Sequence, residues 1–232
     1  MHIMEGYLPN PWWEIWYFLS FPVVAFGIHS LGKLIREKRE ILPLLAVAGA
    51  FIFVLSSLKL PSASGSCSHP TGTGLSSIIF GPAVTAVLSA IVLVYQALFL
   101  AHGGLTTLGA NIFSMGIAGP VVGYAIYRLA TKLGSNLYFS VFLAATLADL
   151  ATYVTTSFQL ALAFPASSGG VQTSFIAFAA IFALTQVPLA ILEGVVAALM
   201  FKYILQVRSD VLFELNVISS KAFNEQRNEI SA

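Results

Sequence analysis

Long apolar runs separated by short polar stretches dominate this sequence. Six of the runs are continuous and close to the roughly 20 residues that a membrane-crossing helix needs, and they lack the alternation of barrel strands. These spans are predicted at residues 12–33, 41–59, 83–101, 108–131, 137–163 and 174–204. The pattern therefore predicts an all-α integral membrane protein.

A seventh run, residues 69–80, is too short to cross a membrane alone, and charge decides how to interpret it. Basic residues mark three stretches that the positive-inside rule places in the cytoplasm: Lys33, Arg36, Lys38 and Arg39; Arg128 and Lys132; Lys202 and Arg208. After span 41–59 the chain is outside, so it must cross an odd number of times to be inside again at residue 131. Residues 69–80 supply the missing crossing, which gives about seven helices, an outside N-terminus and a cytoplasmic C-terminus. The alternative is a surface loop, 60–74, that leads into one over-long span.

Composition agrees with a membrane location. Only 9% of the residues are charged, against about 25% in soluble domains, and the mean hydropathy is +0.86. A net charge of +1 gives no sign of nucleic-acid binding, and a single cysteine excludes an intrachain disulfide. We expect a membrane metal-binding domain at 1–205 and a cytoplasmic polar tail at 206–232, in which 209–223 forms an amphipathic helix or stays solvated.

The Gly/Ser/Thr-rich stretch "GSCSHPTGTG", residues 65–74, interrupts the apolar pattern just before the short run. Irregular backbone at membrane depth is tolerated where it is buried in protein or lines a cavity, and half-helices that begin there mark binding sites in transporters. We predict that His69 starts the short helix inside the bilayer, with Pro70 in its first turn and Gly81-Pro82 as the return turn. His69 is thus a candidate ligand.

The first residues, "MHIMEGYLP", suggest a metal chelate. They do not resemble a cleavable signal peptide, and a bulky second residue protects the initiator methionine, so we expect the chain to start at Met1. The Met1 amine, the His2 amide and the His2 imidazole then form two adjacent chelate rings. A deprotonated amide favours Cu(II), Ni(II) and Co(II), in line with square nitrogen sites. His69 is the candidate for the fourth corner, while Cys67 is interpreted as a small buried hydrophobe.

Three blocks, "MHIMEGYLP", "GSCSHPTGTGL" and "QALFLAHGGLTTLGANIFSMGIAGP", resemble CbiM, the substrate-binding membrane subunit of energy-coupling-factor cobalt transporters. The resemblance extends to about residue 205. It implies metal ligands at Met1, His2 and His69, and it places His102 and Asn111 in a supporting shell by motif position. The implied substrate is Co(II), and sequence leaves Ni(II) open because the two ions share ligands.

The resemblance also implies partners. The chain has no P-loop, so it is expected to be a non-catalytic subunit that relies on a transmembrane coupling subunit, a small accessory membrane subunit and a pair of ATPases. The expected setting is the lipid of a prokaryotic plasma membrane, with the imported cobalt feeding corrin synthesis. Two rival functions are an intramembrane metalloenzyme that uses His2, His69 and His102, and a metal-independent permease or channel. The buried-looking acids, Asp149 and Glu193, could line a cavity or hold helices together.

Overall fold

The computed structural model describes residues 2–61 and 66–231, most of which are helical. The α-helices are α1 Trp12–Glu37, α2 Leu42–Ser57, α3 Thr73–Phe80, α4 Pro82–Phe99, α5 Leu108–Asn111, α6 Gly119–Lys132, α7 Leu137–Ala163, α8 Gly170–Glu214 and α9 Ser220–Ser231. A 3-10 turn, Arg39–Ile41, precedes α2, and a π-helical segment, Ile112–Ala118, joins α5 to α6. Three short strands are β1 His2–Ile3, β2 Leu60–Pro61 and β3 Ser66–Ser68.

Six helices of the described chain are long and apolar enough to cross a membrane, which confirms the predicted all-α membrane fold. They correspond to α1, α2, α4, the continuous α5–α6 unit, α7 and α8. The last of these extends beyond the predicted span 174–204, and it bends at Arg208, whose φ of −139° is not helical. The eight-residue α3 stands where the short seventh crossing was predicted.

The predicted start of α3 was wrong. His69 and Pro70 precede the helix in non-helical chain, and α3 begins at Thr73, because Gly72 takes a left-handed φ of 71° that breaks the helix on its N-terminal side. The predicted return turn is present: Gly81 has a φ of 81° and α4 begins at Pro82. His69 therefore lies on an irregular segment above a helix rather than within its first turn.

Every residue of α3 is buried, because this short helix lies inside the bundle against α6 and α7. The approach to α7 is close: a Cβ added at Gly74 would lie 2.7 Å from the Cα of Ala145. Small residues at such contacts let helix backbones pack tightly in membranes. The irregular 69–72 segment is thereby held in the protein interior.

A large apolar cluster fills the opposite end of the bundle, where Ile41, Tyr127, Phe201, Leu212 and Val217 are all buried. The Tyr127 hydroxyl donates a hydrogen bond of 2.9 Å to the carbonyl of Val217. The start of the predicted polar tail is thus packed against the body, since Leu212 and Val217 lie in this cluster. The division into a membrane domain and a tail stays a prediction.

The three strands form one small antiparallel sheet in the order β1-β3-β2. His2 pairs with Cys67 and Ile3 with Ser66, while Leu60 pairs with Ser68 on the other side. Strands of two or three residues leave no readable alternation in a sequence, and none was predicted. Their effect is to bring the start of the chain onto the segment that leads to His69.

Candidate metal centre

Strand register places His2 and Cys67 on one face of the sheet, and His69 lies one residue beyond the end of β3. Directly paired residues of an antiparallel sheet point to the same side, and so do residues two apart on one strand. His2 pairs with Cys67, and His69 follows Cys67 by two residues. All three side chains are buried.

The connection between α4 and α5 supplies a fourth donor, His102. Ala101 and Gly103 on either side of it have φ angles of 46° and 75°, a conformation that turns the chain sharply. The His102 ring is buried and its centroid lies 4.3 Å from that of His2. One donor atom from each of His2, Cys67, His69 and His102 can be chosen such that all lie within 4.8 Å of one another.

Hydrogen bonds determine which ring nitrogens can bind a cation. The Nδ1 of His69 lies 2.7 Å from the Pro70 carbonyl oxygen, which can only accept, so Nδ1 carries the proton and Nε2 keeps its lone pair. This Nε2 is in contact with the Nδ1 of His2. On the other side of the group, the Cys67 sulfur lies 3.0 Å from the Nε2 of His102. The donors therefore converge on one small volume.

Burial keeps the imidazoles neutral, which is the form that binds metals. It lowers the pKa of His2 well below its ordinary value and that of His102 to about 4. Burial also raises the pKa of the Cys67 thiol, and a hydrogen bond from the His2 backbone amide offsets part of that rise. The group thus offers lone pairs without bringing charge of its own at neutral pH.

Asn111 fixes the backbone next to His2. Its Oδ1 accepts a hydrogen bond of 2.8 Å from the Ile3 amide, and its Nδ2 donates one of 3.0 Å to the Ile3 carbonyl. The Thr107 hydroxyl also donates to that carbonyl, at 2.8 Å. Asn111 thus lies beside the donor group and clamps β1 in place, which orients the His2 imidazole.

Glu193 on α8 accepts hydrogen bonds from the chain just after His69. Its carboxylate accepts hydrogen bonds from the amides of Thr71 and Gly72, the latter at 2.8 Å, and from the Thr71 hydroxyl at 2.9 Å. These are the amides at the N-terminal end of α3, where a negative group is favoured. Glu193 therefore ties the turn that carries His69 to the long helix α8.

Asp149 on α7 reaches the same segment through Gln186. The Gln186 Nε2 lies 2.8 and 2.7 Å from the two Asp149 oxygens and 3.0 Å from the His69 carbonyl oxygen. The sequence identified both acids as costly buried groups but left their partners open. Those partners come from the packing of α7 and α8 around α3, which no local pattern encodes.

Met1 lies outside the described residues, and its amine as a metal ligand stays a prediction. Cys67 was interpreted as a small hydrophobe, yet its sulfur faces His102 inside the donor group. The signal that could have found it is the spacing of two from His69, which is the period of a strand.

The fold and the buried imidazole and thiol donors define a multi-pass membrane protein equipped to hold a transition metal. The chain belongs to CbiM, the family described as the cobalt uptake substrate-specific transmembrane region, whose model matches residues 2–211. A CbiM 2 protein of Methanosarcina barkeri is 65% identical over 98% of both chains. A cobalt transport protein CbiM of a Nostoc species is 58% identical over 88% of this chain and 78% of its own.

Solved structures of transition metal transporters share the fold. One crystal structure of such a transporter is 28% identical, covers 89% of this chain and 93% of its own, and superposes with a TM-score of 0.77. A truncated form gives 0.76 over 89% of this chain and 99% of its own. The predicted family and prokaryotic multi-pass membrane setting are confirmed, and the chain is a substrate-specific component of metal transport.

Proposed function

We propose that this protein captures Co(II) for an ATP-driven uptake transporter, through the Met1 amine, the His2 amide and imidazole, and the His69 imidazole. The observation that supports the proposal is the contact between His2 Nδ1 and His69 Nε2, both of which belong to buried side chains. The His69 Nε2 lone pair accepts a proton from His2 Nδ1 in this contact. A metal ion that replaces this proton gains both nitrogens as ligands.

Chelate geometry supports the other two proposed ligands, the His2 amide and the Met1 amine. Nδ1 of His2 is the ring nitrogen that closes a six-membered ring with the amide of the same residue, and it is the one that faces His69. In a chain that begins at Met1, the amine closes a second ring. Four in-plane nitrogens suit Ni(II) as well as Co(II), so a nickel-specific subunit of the same family is the second candidate.

The transport setting follows the same proposal. The N-terminus faces outward, the irregular segment before α3 dips into the membrane, and the C-terminal tail is cytoplasmic, as the basic loops predict. The coupling subunit, the accessory membrane subunit and the ATPase pair supply the energy, because this chain lacks a P-loop. Within this scheme Gln186 on α8 links the His69 carbonyl to Asp149 on α7, and a change in metal occupancy can reach the opposite face along these two helices.

A metalloenzyme is a weaker candidate. A catalytic metal usually needs an open coordination position and an acid or base beside its water. Among the described residues, Asp149 is engaged by Gln186, and Glu193 by the chain at 71–72. Neither carboxylate belongs to the donor group of His2, Cys67, His69 and His102.

Two measurements test the proposal. Cells that carry the complete transporter should accumulate Co(II), and accumulation should fall to background with His2→Ala or His69→Ala while His29→Ala, outside the donor group, behaves as wild type. The purified chain, titrated with Ni(II) as a probe of the nitrogen-only site, should show a planar spectrum that disappears when one residue is added before Met1. Cobalt uptake unaffected by His69→Ala refutes the function, and a planar Ni(II) spectrum that survives the extension refutes the amine ligand.

A further inference from the structure

We infer that the same pocket has a second mode of metal binding that does not use the start of the chain. In this mode the imidazoles of His2, His69 and His102 and the thiolate of Cys67 hold a divalent ion tetrahedrally. Three nitrogens and one sulfur form the kind of set that Zn(II) accepts, and high-spin Co(II) accepts the same geometry. The inference goes beyond the nitrogen-only site and does not depend on it.

The distances allow such a site with small movements. Metal–nitrogen bonds of about 2.0 Å and metal–sulfur bonds of about 2.3 Å place tetrahedral donors roughly 3.3–3.6 Å apart. One donor atom from each of the four residues already lies within 4.8 Å of the others, and Cys67 Sγ is 3.0 Å from His102 Nε2. Shifts of about 1 Å therefore close the set around an ion.

The backbone holds these donors in two independent ways. His2 and Cys67 share a face of the β1–β3 pair and His69 directly follows β3, whereas His102 comes from the turn after α4, next to the left-handed Ala101. All four side chains are buried, so water does not compete for the ion. In addition, His2 Nε2 is buried without a hydrogen-bond partner among the described residues. A buried polar atom is expected to have a partner, and a metal ion is one that this atom could bind.

Protons balance simply in this mode. The Cys67 thiol gives up one proton, which leaves to solvent, and the sulfur–metal bond forms in its place. With a divalent ion, three neutral imidazoles and one thiolate give the site a net charge of +1. The Asp149 carboxylate is connected to this site by Gln186, which donates hydrogen bonds both to Asp149 and to the His69 carbonyl.

The two modes select different metals. Four planar nitrogens favour Ni(II) and Cu(II), whereas a tetrahedral set that contains a thiolate favours Zn(II) and Co(II). Cys67 and His102 therefore add to the same group a set of donors that favours Co(II) over Ni(II). Removing Cys67 should shift the preference of the unextended chain from Co(II) toward Ni(II).

The experiment uses the full-length chain with one residue added before Met1, which disables the nitrogen-only site. This chain is titrated with Co(II), and its visible and near-ultraviolet spectra are recorded. The expected result is one Co(II) per chain, intense tetrahedral d–d absorption, and a thiolate-to-cobalt band that can only come from Cys67, because the chain has no other cysteine. Cys67→Ser in the extended chain should abolish the band and weaken Co(II) binding at least about tenfold, and His29→Ala should change neither.

The outcomes are separable. An extended chain that binds no Co(II), or whose spectrum is the same with Cys67→Ser, overturns the second mode even if the nitrogen-only site is correct. A native chain without the planar Ni(II) spectrum overturns the nitrogen-only site and leaves the second mode standing. Circular dichroism and thermal melting of Cys67→Ser provide the folding check. Should that variant melt early, sulfur scattering in the cobalt-edge X-ray absorption of the extended chain answers the question, and its absence refutes the thiolate ligand.

Discussion

The two ends of the bundle are built on different principles. At the candidate-site end, formed by β1, β3, residues 69–72 and His102, the buried groups are largely polar and are held by hydrogen bonds with side chains of α5 and α8. At the tail end, the apolar cluster of Tyr127, Phe201, Leu212 and their neighbours is held by close packing. Buried polar groups are stable only while each has its partner, whereas apolar packing loses stability in proportion to the volume removed.

That contrast has a functional reading. On the proposed function, the polar end binds and releases a cation because its donor atoms converge on one point, and the apolar end keeps the helices together. A mutation at one end should therefore change metal affinity with little effect on folding, and a mutation at the other end should do the reverse. The first two of the following experiments measure both metal affinity and folding stability, and the last two measure how supporting residues affect the affinity.

The largest effect is expected for His69→Ala. This residue contributes a ligand to both proposed modes, and because losing even a supporting residue of a metal site costs about 10- to 100-fold, losing the ligand itself should lower Co(II) affinity on the order of 1000-fold. The free energy of unfolding without metal should stay close to wild type. Equilibrium dialysis and thermal melting in detergent check both points, and an unchanged affinity would place the metal elsewhere.

Phe201→Ala should give the complementary result. Phe201 is fully buried in the tail-end cluster, so its truncation is expected to destabilise the fold by about 3–4 kcal/mol. Metal affinity, measured well below the melting temperature, should change less than about threefold, since additivity holds for distant sites. Phe26→Ala is the matched control, because Phe26 is 63% exposed and does not belong to the tail-end cluster. Equal losses of affinity in Phe201→Ala and His69→Ala would show that the two ends are strongly coupled.

Glu193→Gln should weaken metal binding by about 10- to 100-fold, which is the usual cost of removing a residue that orients a metal ligand. The amide keeps one acceptor oxygen but presents an N–H group to donors at Thr71 and Gly72, so the turn after His69 loses its fixed position. Glu14→Gln, at an exposed position of α1, serves as the control. Metal titration gives the affinity, and a Glu193→Gln protein that binds as wild type would separate this carboxylate from the site.

Asn111→Ala should have the smallest effect, about tenfold in metal affinity, because β1 keeps its pairing with β3 and its bond from Thr107. The loss of affinity arises because the variant lacks two hydrogen bonds to the Ile3 backbone, so the His2 imidazole is held less firmly in position. Amide hydrogen exchange at Ile3 should speed up in the same variant, with Asn224→Ala as the exposed control. Unchanged exchange at Ile3 would contradict the clamp.

Sequence alone determined the membrane class, six spans close to their observed bounds, and the Gly81-Pro82 turn. These features follow from local physics: hydrophobic run length must match membrane thickness, and a glycine followed by proline ends one helix and starts another. Sequence also selected His2 and His69, through the chelate at the start of the chain and the irregular segment. The start of α3 was misplaced by four residues, because the conformation of Gly72 and the carboxylate of Glu193 set that boundary together.

What only the tertiary structure decided is which distant groups meet. A pairing of two residues, β1 with β3, brings His2 to Cys67 over a separation that no local signal spans, and the turn at Ala101 adds His102 to the same group. Hydrogen bonds that Asn111 and Glu193 accept and Gln186 donates then fix the backbone beside His2 and His69, and each connects elements far apart in the chain. The reason is physical: burial and hydrophobicity are properties of single positions, whereas coordination requires several side chains at one point in space, and only packing brings them there.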